Sequence, residues 1–353
     1  MFGEAARAIS SVWLERQLDK LEVIGSSPIS LIFVSCTKRR KSFEALFLFC
    51  QLSDSGTRYK MRVVVLAEDS SKVEGVEAEH GLSLYIENGS RRILFDVGKS
   101  GLFARNAKTL GIAVNLVETL ILSHGHCDHT GGLERFGELN ADSKIYATLT
   151  TFRPYFSLRR GNVYENIGTP RFDADERFSD RIVFNEGFLK LPNGEILFSD
   201  VKTNELRSEA NDALFSLAST ESGNDDNKRD LTSDTLFRHD SFEHEQNLIV
   251  TTETGRNVLF VGCSHRGIVS IMVRCTEILG RAPDVAFGGF HLMSPSRGES
   301  IPLNSLDRIA KRLACWPTRY YAGHCVGNEA FDRVQRVLRN QISYFGAGET
   351  FEF

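Results

Sequence analysis

Residues 123–132, SHGHCDHTGG, place His124, His126, Asp128 and His129 within six consecutive positions of a chain that has nine histidines in all. An apolar core has no use for that density of imidazole, and the spacing reads as metal ligation. In a tight loop, residues two apart point the same way, so His124 and His126 can grip one ion. Asp128 and His129 project to the other side and can grip a second. Imidazole suits zinc, iron, manganese or nickel, and the hard carboxylate adds charge compensation. A fold that uses this loop must bring further ligands to it from elsewhere in the chain.

The apolar run ETLILS (118–123) leads straight into His124, and the same event recurs three times. NVLFVG (257–262) ends at Cys263-Ser264-His265, DVAFGG (284–289) at Phe290-His291, and RYYAG (319–323) at His324-Cys325. Each run has the Val, Ile, Leu, Phe and Tyr content of a strand. Four strands thus deliver a histidine just past their carboxyl ends, the edge where α/β proteins assemble their sites.

Further strands are expected at 61–68, 82–87, 92–98, 144–148 and 248–253. Apolar spacing of three and four predicts amphipathic helices over 100–112, 267–280, 303–315 and 328–340. Strands come first in pairs and later alternate with helices, which predicts sheets covered by helices in a single α/β domain over 61–353. Within it, residues 200–245 are Ser-, Asp- and Asn-rich with little periodicity, and read as a polar insertion, mobile or lid-like. His239 and His244 in that insertion read as surface histidines.

Residues 1–60 form an irregular leader that does not match the rest. They carry a net charge of +3, against −7 for the remainder of a chain whose total is −4. Six acidic residues argue against a transit peptide. Residues 10–30, SSVWLERQLDKLEVIGSSPIS, resemble the peptides produced when a transfer-RNA gene is translated, in which case Met61 is the expected natural start; a disordered leader is the other reading. Seven cysteines with no CxxC pair suggest reduced thiols and a cytoplasmic location. No apolar run reaches the roughly 20 residues a membrane span needs, and the acidic balance gives no basic surface for nucleic acid.

H-x-H-x-D-H after an apolar strand resembles the metallo-β-lactamase superfamily, an αββα sandwich of metal-dependent hydrolases. The resemblance runs through AEHGLSLYIE (78–87), ILFDVGKSGLF (93–103), LSHGHCDHTGGL (122–133), VGCSHRGIV (261–269), GGFHL (288–292) and GHCVG (323–327). Together these are similar to the branch called dihydropterin-ribofuranosyl-aminobenzene-phosphate synthase-like. The resemblance implies two divalent ions, zinc first, with manganese or iron as alternatives. His124 and His126 would bind the first with a later histidine, and Asp128 and His129 the second. His265 and His324 are the preferred further ligands, with His291 next to them. Asp96 would brace the metal loop through hydrogen bonds. Many members carry a bridging aspartate where this chain has Cys263. Either Cys263 ligates as thiolate or His265 takes over the space, and His265 is the favoured reading. His80 stands between a strand-capping role and one near the site. Arg159 and Arg160 read as a solvated turn, with contact to an anionic substrate as the alternative.

The expected function is a metal-dependent hydrolase that uses metal-bound hydroxide on a small phosphorylated or cyclic-phosphate metabolite, with Asp128 orienting the attacking water. The alternatives are a nuclease of the same superfamily and a non-enzymatic binding protein on the same fold. A di-iron redox site is disfavoured, because the branch that uses one has glutamate where this chain has His126.

Overall fold

Alternating apolar residues build the centre of the molecule. In the computed structural model, which describes residues 61–170, 176–218 and 236–353 together with 22–23 and 32–33, one compact unit spans Tyr59–Phe353. In the unit before it, Glu22–Val23 pairs antiparallel with Ile32–Phe33; the rest of the expected leader lies outside the described residues.

The first sheet contains β1 (Arg62–Ala67), β2 (Ser83–Asn88), β3 (Arg91–Phe95), β4 (Thr119–Ile121), β5 (Lys144–Thr148), β8 (Ile182–Asn185) and β18 (Thr350–Glu352), in the order β8-β5-β4-β3-β2-β1-β18. The stretch β8-β5-β4-β3 is parallel and the remaining pairings are antiparallel. A second sheet repeats the plan with β9 (Phe188–Lys190), β10 (Ile196–Phe198), β13 (Asn247–Thr251), β14 (Asn257–Val261), β15 (Val285–Gly289), β16 (Arg319–Gly323) and β17 (Ile342–Tyr344), in that order. Its last four strands are parallel.

Val63, Val65, Leu84 and Ile86 of the first sheet face Phe260, Phe287 and Phe345 of the second in a common core. The outer face of the first sheet is covered by α1 (Leu102–Thr109) and α3 (Leu133–Leu139); α2 (Cys127–Thr130) is a single turn before α3. The outer face of the second is covered by α4 (Ile268–Leu279), α5 (Leu303–Leu313) and α6 (Asn328–Leu338). The result is the expected αββα sandwich, in which each sheet buries one face on its partner and the other under helices.

A third, four-stranded sheet, β12-β11-β6-β7, was not legible in the sequence. It pairs β6 (Tyr155–Arg159) and β7 (Val163–Asn166) with β11 (Leu214–Leu217) and β12 (Phe237–His239). Two of these strands lie in the tract expected to be an irregular insertion. Of that tract, 219–235 lie outside the described residues. The described parts, 200–218 and 236–245, are built into the fold, with Ser208, Asn211, Asp240 and His244 buried. The periodicity is missing because these side chains hydrogen-bond the site's loops rather than line an apolar face. Among the described residues, no helix is long and apolar enough to cross a membrane.

Phe287 is fully buried between the sheets, with its ring against Phe260 and Phe345. Phe287→Ala should lower unfolding stability by about 3–5 kcal/mol, read by chemical denaturation. A cost near zero would contradict a close-packed intersheet core.

Candidate metal centre

Asp96 leaves β3 in the left-handed backbone region (φ 61) and is completely buried. Its carboxylate accepts the Ser123 N–H at 2.7 Å, the Ser123 hydroxyl at 2.6 Å and His129 Nδ1–H at 2.7 Å. With its only proton given to Asp96, the Ser123 oxygen must accept from His124 Nδ1, 2.8 Å away. That fixes the tautomer and leaves a bare lone pair on His124 Nε2. One carboxylate therefore orients two rings of the H-x-H-x-D-H loop.

The rings arriving from the second sheet are held in the same way. His265 places Nδ1 2.9 Å from Asn211 Oδ1, and the Asn211 amide donates to the His265 carbonyl at 2.8 Å. The Nδ1–H is thus committed, and His265 Nε2 is buried with no partner. His324 Nδ1 lies 2.8 Å from Asp69 Oδ1, and its backbone N–H donates to Glu68 at 2.7 Å. In His124, His129, His265 and His324 alike, Nδ1 is spoken for and Nε2 faces inward.

The inward atoms form two sets. His124, His126 and His265 offer donor atoms within 4.8 Å of one another. His124 Nε2 stands 3.1 Å from His126 Nδ1, and His126 Nε2 is also buried without a partner. The second set is Asp128, His129, Cys263 and His324. Its closest approaches are His129 Nε2 to Cys263 Sγ at 3.1 Å, His129 Nε2 to His324 Nε2 at 3.2 Å and His324 Nε2 to Asp128 at 3.2 Å.

Burial, reinforced by neighbouring rings, holds His124 and His265 well below the usual histidine range and lowers His126 to about 3. The first set is therefore neutral and rich in lone pairs at neutral pH. Burial would raise Asp128, but His129, His324 and His80 outweigh it and keep the carboxylate ionised. Burial would lower His324, but Asp69 and Asp128 outweigh it and hold that ring well above its ordinary range. Unpartnered buried nitrogens cost stability unless something accepts their lone pairs. Three neutral imidazoles beside an Asp-His-Cys-His set fit divalent transition metals.

Cys263 and His265 do not compete for one position: Cys263 faces the second set and His265 the first. His80 sits at the rim, with Nδ1 2.9 Å from Asp69 and Nε2 3.5 Å from Asp128. His291 is buried beside Cys263 and Cys325. A cleft lined by His80, Lys99, Asp128, Arg159 and His265 among others opens onto both sets. Arg159 reaches that cleft while bonded to Glu165 at 2.5 Å, whereas Arg160 is exposed and outside it. His239 is exposed and stacks on Phe215.

His244 corrects the sequence reading, which took it as a surface residue. It is fully buried, accepting the Gly125 N–H at Nδ1 (2.9 Å) and meeting Asp240 at Nε2 (2.9 Å). Both nitrogens are occupied, so it props the H-x-H-x-D-H loop. Asp69, Asn211, Asp240 and Cys325 were also missed. Asp69 ends the run MRVVVLAED and Cys325 adjoins His324, so both carried a strand-end signal; Asn211 and Asp240 lie in the aperiodic tract and carried none.

The sequence profile of the metallo-beta-lactamase superfamily matches residues 76–193. The chain is 28% identical, over 86% of its length and all of the relative's, to 7,8-dihydropterin-6-methyl-4-(beta-D-ribofuranosyl)-aminobenzene-5'-phosphate synthase of Methanocaldococcus jannaschii. It is 26% identical to an uncharacterised protein of the same organism, over 81% of this chain and 98% of that one. It is also similar to the crystal structure of a metal-dependent hydrolase of the beta-lactamase superfamily, with a TM-score of 0.63 and 27% identity, over 83% of this chain and 99% of that one.

Gly262 lets the β14 exit pass against the Ser123 hub: a Cβ there would lie 2.2 Å from Ser123 Oγ and 3.1 Å from His124 Nδ1. Gly262→Ala should destabilise the fold by about 1–3 kcal/mol through overpacking. Thermal unfolding at wild-type temperature would show that the approach is looser than drawn.

Proposed function

The chain belongs to the metallo-β-lactamase superfamily, and from that premise we propose that it is a two-metal hydrolase of a small phosphorylated metabolite. The observation that carries the reading is the convergence of inward-facing Nε2 atoms, each on a ring whose Nδ1 is already bonded. Histidines that ligate metals are oriented in this way. His124, His126 and His265 would hold one divalent ion; Asp128, His129, Cys263 and His324 would hold the other. When bound, such ions acidify water and neutralise charge that develops on oxygen.

The chain's own groups supply the rest. Asp128 faces the cleft as an ionised carboxylate and can accept a hydrogen bond from the incoming water, aligning it. His80, paired through Nδ1 with Asp69, presents Nε2 at the cleft as an acceptor that can help orient the water or a substrate hydroxyl. Lys99 and Arg159 line the same cleft and match the charge of a phosphate group.

A second reading is group transfer on a phosphorylated ribosyl substrate, favoured by the synthase activity for which the Methanocaldococcus jannaschii relative is named. Identification of products separates the two, since a hydrolase releases one product carrying oxygen from solvent.

Metal content and turnover of bis-p-nitrophenyl phosphate should fall together in His126→Ala and His265→Ala. Full turnover in either variant would remove that residue from the centre. Asp96→Asn, which places an amide against three donors, should weaken metal affinity about 10–100-fold while the fold persists; unchanged affinity would contradict its bracing role.

Binding at the second set must expel protons, because His324 is held protonated by its carboxylates and burial pushes the Cys263 thiol up. Affinity there should rise with pH through neutrality, while the already neutral first set changes little. Calorimetry in buffers of different ionisation enthalpy reads the protons released, and no release on filling the second ion would contradict the assignment.

A further inference from the structure

Cys263, His291 and Cys325 offer three donor atoms within 4.8 Å of one another, all buried. They follow β14, β15 and β16, three adjacent parallel strands. Gly289 keeps the space between them open, since a Cβ there would lie 2.7 Å from Cys325 Sγ and 3.4 Å from the Cys263 Cα.

His291 is the telling residue. It is 3% exposed, and neither ring nitrogen has a hydrogen-bond partner. Its backbone, by contrast, is fixed at both ends: the N–H donates to Cys325 Sγ at 3.1 Å, and its carbonyl accepts the Ser208 hydroxyl. The loop is therefore held in place while the imidazole it presents is left unsatisfied beside two sulfurs. A buried imidazole without partners carries a desolvation cost that a bound cation would remove.

We propose that Cys263, His291 and Cys325 form a further cation site, selective for a thiophilic ion of the zinc, cadmium or copper(I) class. Two thiolates and an imidazole make a soft donor set, unlike the harder Asp-His neighbours. Cys263 is shared with the second set of the proposed pair, standing 3.1 Å from His129 Nε2, so its sulfur bridges the new ion to that pair. His291 and Cys325 belong to neither set of the hydrolytic centre, so the site goes beyond the proposed function. All three residues line the open cleft, which gives an ion a way in.

The test is cadmium titration of metal-free protein, followed by thiolate-to-cadmium absorption in the ultraviolet and by metal content. Wild type should bind three ions per chain. Cys325→Ser and His291→Ala should each bind two, and Cys325→Ser should also lose one thiolate's share of the absorption. Unchanged absorption in Cys325→Ser together with three ions would overturn the proposal, as would saturation of wild type at two. Should Cys325→Ser fail to fold, alkylation of Cys325 in wild type decides: protection by cadmium is expected, and equal labelling with and without it refutes the site. His126→Ala should lose one ion but keep the full thiolate absorption, which separates this proposal from the hydrolytic reading.

Discussion

The arrangement depends on Asp96. A carboxylate with no solvent exposure, taking hydrogen bonds from Ser123 twice and from His129 once, is stable only because those donors replace the water it has lost. In return it dictates the tautomer of His129 directly and of His124 through Ser123. Both lone pairs then point to the interior of the sandwich edge. The metal loop is oriented from beneath by the end of a strand, so its geometry is set by the sheet as well as by its own short turns.

The second sheet answers with the same device at the exits of its parallel strands. Of the eight non-glycine residues with positive φ among the described residues, three stand at these exits, Ser264, His291 and His324, and a fourth, Asp96, stands at the exit of β3 in the first sheet. Backbone in that region is costly for such residues and persists where the surroundings over-determine it, as at functional sites. Each sharp exit turns a side chain from the strand direction toward the shared edge. The site is thus the meeting of two sheets: the first-sheet rings are anchored on Asp96 and Ser123, while His265 is held by Asn211 and His324 reaches across to Asp69 just past β1 of the first sheet.

Much of this was legible in the sequence, because strand and histidine are adjacent there. An apolar run ending at His124, His265, His291 or His324 carries both the element and its cargo in one short string. Helical periodicity after the midpoint gave sheets covered by helices, and the αββα layering came from the family resemblance. What stayed hidden was the support. Asn211 and His244 act through partners far along the chain, Asp240 acts through His244, and their tract shows no period because its polar side chains serve loops instead of a core. His244 was misread as surface for that reason. The relation of Cys263 to His265 was equally hidden, since two residues two positions apart face different sets only once the φ of 63 at Ser264 has turned the chain between them.

The central claim is that two ions sit side by side, one among His124, His126 and His265 and the other among Asp128, His129, Cys263 and His324. Anomalous diffraction from crystals grown with zinc tests it most directly. The account predicts a peak within bonding distance of the donors of each set, with His265 Nε2 on the first ion and Cys263 Sγ on the second. A single ion, or a first ion held by His244 in place of His265, would contradict it.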